Sequence, residues 1–264
     1  MRENHQNNNN YDSDRDSGTL IPRLTVDPKP YKLLTKAAAE FIGTMFFLFL
    51  GICSSNNASQ DPTGIAFAHG LAIAVGIASF GHVSGGHFNP AVSLSVLLAG
   101  RLRPSHFIVY IAAQLAGAFL GSCLTRLVMS NEMYLGTIGG LTLLPDTIFW
   151  PKALAAEAIA TTLLTTVVLA LGVDVKNNNI APFTIGLTVV AAIFSIKAIS
   201  GAVLNPARSF GPAITGLLFH NAQTVPTVVI WQAHYVFWIG PAIGAAISAV
   251  LYKLFFARGY NRCL

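Results

Sequence analysis

"HFNPAVS" occupies residues 87–93 and "VLNPARS" residues 203–209. Asn89 and Asn205 stand 116 positions apart, and an apolar run follows each. Asn is a strong N-cap and Pro is favoured at the first helical position. Asn89-Pro90-Ala91 and Asn205-Pro206-Ala207 therefore both read as helix starts. The runs that follow, "AVSLSVLLAG" and "ARSFGPAITG", hold about ten residues, a rise of only about 15 Å, half of a bilayer's hydrocarbon core. Each motif predicts a half-helix on a re-entrant loop. "VSGGHF" and "ISGAVL" supply irregular backbone just before each start. Such backbone is tolerated at membrane depth only where protein buries it or where it lines a wet cavity.

The rest of the chain agrees with a bilayer as solvent. It is 53% hydrophobic and 10% charged over 264 residues, whereas a soluble domain carries roughly 25% charged residues. Six apolar runs are long enough to span, at about 37–55, 64–82, 105–128, 153–173, 181–199 and 232–256. Six crossings put both termini on one side. Of the 16 Lys and Arg, all but Arg126, Lys152, Lys197 and Arg208 fall on that side, so the positive-inside rule predicts cytoplasmic termini. The net charge of +5 is explained by this bias, and no basic domain is left over for nucleic acid. No cleavable signal peptide is visible. Residues 1–34, with "NNNN" and "DSDRDSG", read as a disordered cytoplasmic tail with little to bury, and 257–264 as a short cytoplasmic C-terminal tail. Cys53, Cys123 and Cys263 have neither metal-ligand nor redox spacing.

A second echo accompanies the first. "AAAEFIGT" opens the first run and "LAAEAIAT" the fourth, with Glu40 and Glu157 117 positions apart. Two landmarks at nearly one offset indicate a duplicated half, about 35–130 and 150–256. Three crossings per half make the second copy inverted, which places a path at the midplane where the repeats meet. The expected fold is all-α: six transmembrane helices plus two half-helices meeting N-terminus to N-terminus within a channel domain at 35–256. Each Asn oxygen caps its own helix, leaving the side-chain NH₂ free as a donor at the midplane. The positive ends of two half-helix dipoles stand behind it. A water there must accept from both, which turns its own hydrogens towards the two mouths, and a cation is disfavoured.

"SGGHFNPAVS", "GAVLNPARSFGPA", "QLAGA" at 114–118 and "FWIGPAIGA" at 237–245 resemble the aquaporin, or major intrinsic protein, family over about residues 35–256. The resemblance implies one pore per subunit, homotetramers and passive conduction of small neutral solutes. By offset from the two motifs it also implies an outer selectivity filter of His69, Ile193, Ala202 and Arg208. His-Ile-Ala-Arg departs from strict water channels, which carry Phe first and His second. It is similar to the filter of aquaammoniaporins, the plant tonoplast intrinsic and animal aquaporin-eight types. Arg208 opposes cations at the narrowest point, His69 keeps a polar contact, and Ile193 offers an apolar wall that suits ammonia beside water. Hydrogen peroxide is compatible with such a filter. Ser209 and Ala213 match the water type, where glycerol facilitators usually carry Asp and Lys. His87 matches a pore-side position. The resemblance makes Glu40 and Glu157 scaffolds of the re-entrant loops.

Other polar residues read more plainly. His82 reads as structural, and Lys197 as a side chain snorkelling to the interface near the outer mouth. Asn57-Ala58-Ser59 is a glycosylation sequon on a short predicted outer loop. The expected activity is a passive channel for water and ammonia that excludes protons and ions, with a glycerol or neutral-solute facilitator as the nearer rival. A proton-coupled transporter also uses inverted repeats, but its titratable site would have to come from acids that read as scaffolds. No nucleophile–base pair, metal cluster or cofactor motif points to an enzyme.

Overall fold

The computed structural model describes residues 30–55, 62–175, 178–219 and 225–257. Asn57, Cys263 and most of both predicted tails lie outside them. Among the described residues ten α-helices follow one another: α1 (Leu33–Ser54), α2 (Pro62–Ser84), α3 (Pro90–Leu98), α4 (Pro104–Val128), α5 (Asn131–Gly136), α6 (Trp150–Val167), α7 (Ala181–Ser200), α8 (Pro206–Phe219), α9 (Thr227–Gln232) and α10 (Val236–Leu251). Helix α6 continues as a π-helix over Val168–Val173, and α10 over Tyr252–Phe256. Among the described residues six segments are long and apolar enough to cross a membrane, with boundaries within five residues of those expected. The chain is a multi-pass membrane protein.

The two halves interlock. Helix α1 packs on α4 and α6 on α10, while each half-helix leans on the last long helix of the other half, α3 on α10 and α8 on α4. Helix α3 has the expected length. Helix α8 runs 14 residues rather than ten, a rise of about 21 Å. Gly216 does not stop it, because the absence of a side chain there lets Leu141 and Ile230 close on the helix. The resulting cluster of Leu141, Ala213, Val225 and Ile230 carries the last turn.

At the centre, α2 meets α7 through two glycines. A Cβ on Gly70 would stand 2.5 Å from the Gly186 carbonyl oxygen, and one on Gly186 2.4 Å from that of Gly70. This pair, too, is 116 positions apart. Gly186→Ala is expected to pry the halves apart and cost about 1–3 kcal/mol, the usual range for overpacking. Thermal unfolding in detergent checks it. Gly136→Ala, where nothing lies within 4 Å, is expected to leave the melting point unmoved.

One polar cluster ties three elements. Arg101 donates to the Tyr252 hydroxyl at 3.1 Å, Tyr252 donates to Asp174 at 3.0 Å, and Arg101 stands 4.0 Å from Asp174. It clamps the two π-helical ends to the turn after α3.

Candidate functional site

The site is built from two buried carboxylates. Glu40 Oε1 accepts from the Ser84 hydroxyl at 2.6 Å and the His87 amide at 2.9 Å. Its Oε2 accepts from the Phe88 amide at 2.7 Å and Gln114 at 2.8 Å. Glu157 repeats the pattern with Ser200 at 2.6 Å, the Val203 amide at 2.8 Å and the Leu204 amide at 2.7 Å. Both side chains are fully buried. They hold backbone that would not otherwise persist. Phe88 and Leu204, just before the two asparagines, have φ of 47° and 53°, a left-handed conformation costly for residues with a side chain. Each glutamate binds the amide of one of these residues.

The asparagines cap and cross-brace. Asn89 Oδ1 accepts from the Ala91 amide at 2.8 Å, and Asn205 Oδ1 from the Ala207 amide at 3.0 Å. The side-chain NH₂ groups are not wholly free, contrary to expectation. Asn89 Nδ2 donates to the Leu204 carbonyl and Asn205 Nδ2 to the Phe88 carbonyl, both at 2.9 Å. The left-handed turn aims each carbonyl at the opposite asparagine. One hydrogen of each NH₂ thus locks the two loops together, and the other remains for a solute.

A cavity of about 450 Å³ passes this point. His69, Ile73, Ile77 and Gly81 line it from α2, a stripe at steps of four that follows about 18 Å of helix. Ile185, Val189 and Ile193 line it from α7 with the same spacing. Asn89, Asn205, His87, Ala202 and Arg208 also line it, as do the polar residues His82, Asn178 and Asn179. All four residues of the expected filter therefore face one cavity with both asparagines.

Their supports come from distant chain. His69 Nδ1 lies 2.9 Å from the Ile65 carbonyl, which can only accept, so this nitrogen carries hydrogen and Nε2 is the ring's remaining polar atom. The ring stands edge-on to Phe47 and fits only because position 51 is Gly, where a Cβ would come within 2.6 Å of it. Arg208 Nη1 donates to the Thr142 hydroxyl, a partner in the connection after α5 that no sequence signal marks. His87 Nδ1 pairs with Ser93 at 3.0 Å, and its ring stands against Tyr110.

The remaining residues fall around this core. His82 lines the cavity from the last turn of α2 and stacks edge-on with Tyr31. Lys197 is half-buried, one helical step beyond Ile193 on the α7 stripe. Ser209 and Ala213 are buried in α8. Cys53 and Cys123 are unpaired thiols. Among the described residues, no three His, Cys, Asp or Glu gather where a metal could be held.

An inverted membrane repeat wrapped around a lined cavity, with two capped half-helices meeting inside it, defines a channel. The major intrinsic protein family model matches residues 29–252. Over 230 residues the chain is 36% identical to aquaporin-8 of Rattus norvegicus, covering 85% of this chain and 82% of that one. It is 34% identical to aquaporin TIP2-2 of Zea mays over 236 residues, 84% of this chain and 87% of the other. The aquaglyceroporin of Plasmodium falciparum superposes with a TM-score of 0.73 at 24% identity, covering 84% of this chain and 96% of that one, a likeness of fold. The chain belongs to the major intrinsic protein family, passive channels rather than enzymes that pass small neutral solutes such as water.

Proposed function

We propose that this chain conducts water and ammonia passively, excludes protons and ions, and works as a homotetramer with both termini cytoplasmic. The observation that carries the reading is the shared wall: His69, Ile193, Ala202 and Arg208 line one cavity with Asn89 and Asn205. A solute at the asparagines meets two N–H donors and two half-helix N-termini, so it must accept. A water held this way points its hydrogens outwards, which interrupts a one-way chain of hydrogen bonds. Towards the outer mouth, Arg208 repels cations while His69 offers water a polar contact. Ile193 gives no hydrogen bond, which costs the weakly hydrated ammonia less than it costs water. The similarity to proteins named aquaporin-8 and TIP aquaporins supports the reading.

The test rebuilds a strict water filter. His69→Phe combined with Ile193→His is expected to keep water flux and lose most ammonia flux. A difference of about 1.4 kcal/mol between the two barriers is tenfold in relative rate, so one altered wall suffices. Osmotic shrinkage of proteoliposomes and intravesicular pH under an ammonia gradient are read on the same preparation, with glycerol and hydrogen peroxide as further solutes. Equal ammonia flux in the wild type, the double variant and empty vesicles would leave a plain water channel. Glycerol flux matching that of water would favour a facilitator.

A further inference from the structure

The 116-residue offset relates working parts, and not only motifs. Ser84 and Ser200 each donate to their half's glutamate, at 2.6 Å. The amides of Gly86 and Ala202 donate to those serines, at 3.1 and 3.3 Å. Gly86 and Ala202 share the left-handed region, with φ of 64° and 53°. Residues 116 apart are therefore equivalent across the midplane, and the filter has a counterpart. His69 maps onto Ile185 and Arg208 onto Val92. Ile193 maps onto Ile77, and Ala202 onto Gly86.

All four counterparts line the same cavity. The fold thus builds two equivalent rings on either side of the asparagines. One carries an imidazole and a guanidinium; the other has no polar side-chain atom. His87, next to Gly86, and His82, five positions beyond Ile77, are the imidazoles nearest this ring in sequence that also line the cavity, and the Nδ1 of His87 is engaged with Ser93.

Resting on the filter reading above, we infer that Ile77, Val92 and Ile185 form a second selectivity station on the cytoplasmic half, one that discriminates by dehydration rather than by charge. A solute crossing it leaves water contacts behind and gains few in return. Water has more to lose there than a small, weakly hydrated neutral solute such as ammonia. The outer ring rejects ions, and the inner ring ranks the neutral solutes that remain.

A shape-matched comparison tests this. Val and Thr have nearly the same volume and differ by a methyl and a hydroxyl. Channels with Ile77→Val and Ile185→Val are compared with channels carrying Ile77→Thr and Ile185→Thr, so widening is the same in both. A helical Thr hydroxyl that bonds its own backbone still offers an acceptor to the pore. The Thr pair is expected to conduct water about fivefold faster per channel than the Val pair, equivalent to one net hydrogen bond of about 1 kcal/mol. Ammonia flux should change less than about twofold on the same scale. If the Thr pair does not reconstitute, Val92→Thr against wild type is the same test at the third wall. Equal water flux in the matched channels, or an equal rise in water and ammonia, overturns the station. Absence of ammonia flux in wild type would sink the ammonia reading instead, and the water comparison would still decide the ring.

Discussion

Arg208→Val is expected to let protons or small cations through while leaving water flux largely intact. The guanidinium lines the cavity and is held by the Thr142 hydroxyl. A unit charge about 5 Å from a passing cation, at an effective dielectric of about 20, opposes it by about 3 kcal/mol, or roughly a hundredfold in rate. Valine removes the charge and most of the bulk, and water loses one donor among several. Intravesicular pH under an imposed proton gradient, beside osmotic shrinkage of the same vesicles, reads both. Thr142→Val, which frees the guanidinium without deleting it, should give a smaller leak. Normal water flux with no leak in the Arg208 variant would show that the barrier lies elsewhere, at the asparagines and their helix ends.

Glu40→Gln is expected to abolish the folded channel or nearly so, and Glu157→Gln to do less. Every partner of Glu40 is a donor, two on each oxygen. An amide turned either way sets its NH₂ against two donors in a fully buried site. Each donor left unpaired costs about 1–3 kcal/mol, and the left-handed turn at Phe88 loses its anchor. Glu157 has three donors, with only the Leu204 amide on Oε2, so a glutamine can face one conflict instead of two. The yield of monodisperse protein in detergent and its melting temperature measure the loss. A Glu40→Gln protein that folds normally, but whose transport changes its dependence on pH, would instead make this acid a proton relay and revive the coupled-transporter alternative.

Local chemistry written twice was open to reading from the chain alone. Asn-Pro-Ala caps a helix by its own atoms, an apolar run of about 20 residues spans a bilayer wherever it sits, and a repeated offset reports duplication without any contact being known. Those three facts placed six spans, two half-helices and the meeting of Asn89 with Asn205. The assignment of Glu40 and Glu157 to the loops came from the family resemblance, in keeping with the cost of an unpaired buried charge.

Tertiary structure decided what depends on distant partners. Thr142 reaches Arg208 from 66 positions away, and Gly70 touches Gly186 only because two helices cross at that height. The asparagine NH₂ groups were expected to be free. One hydrogen of each is taken by a carbonyl that points inwards only because Phe88 and Leu204 are left-handed, and nothing in the local sequence asks that of a Phe or a Leu. Helix α8 outran its apparent stop because Gly216 is closed over by Leu141 and Ile230. The equivalence of the polar ring with an apolar one became visible only when both lined one cavity. The sequence determined the spans, the caps and the repeat, because these are properties of neighbouring residues. Which side chains share a wall was decided by packing, because chain order does not record distance in space.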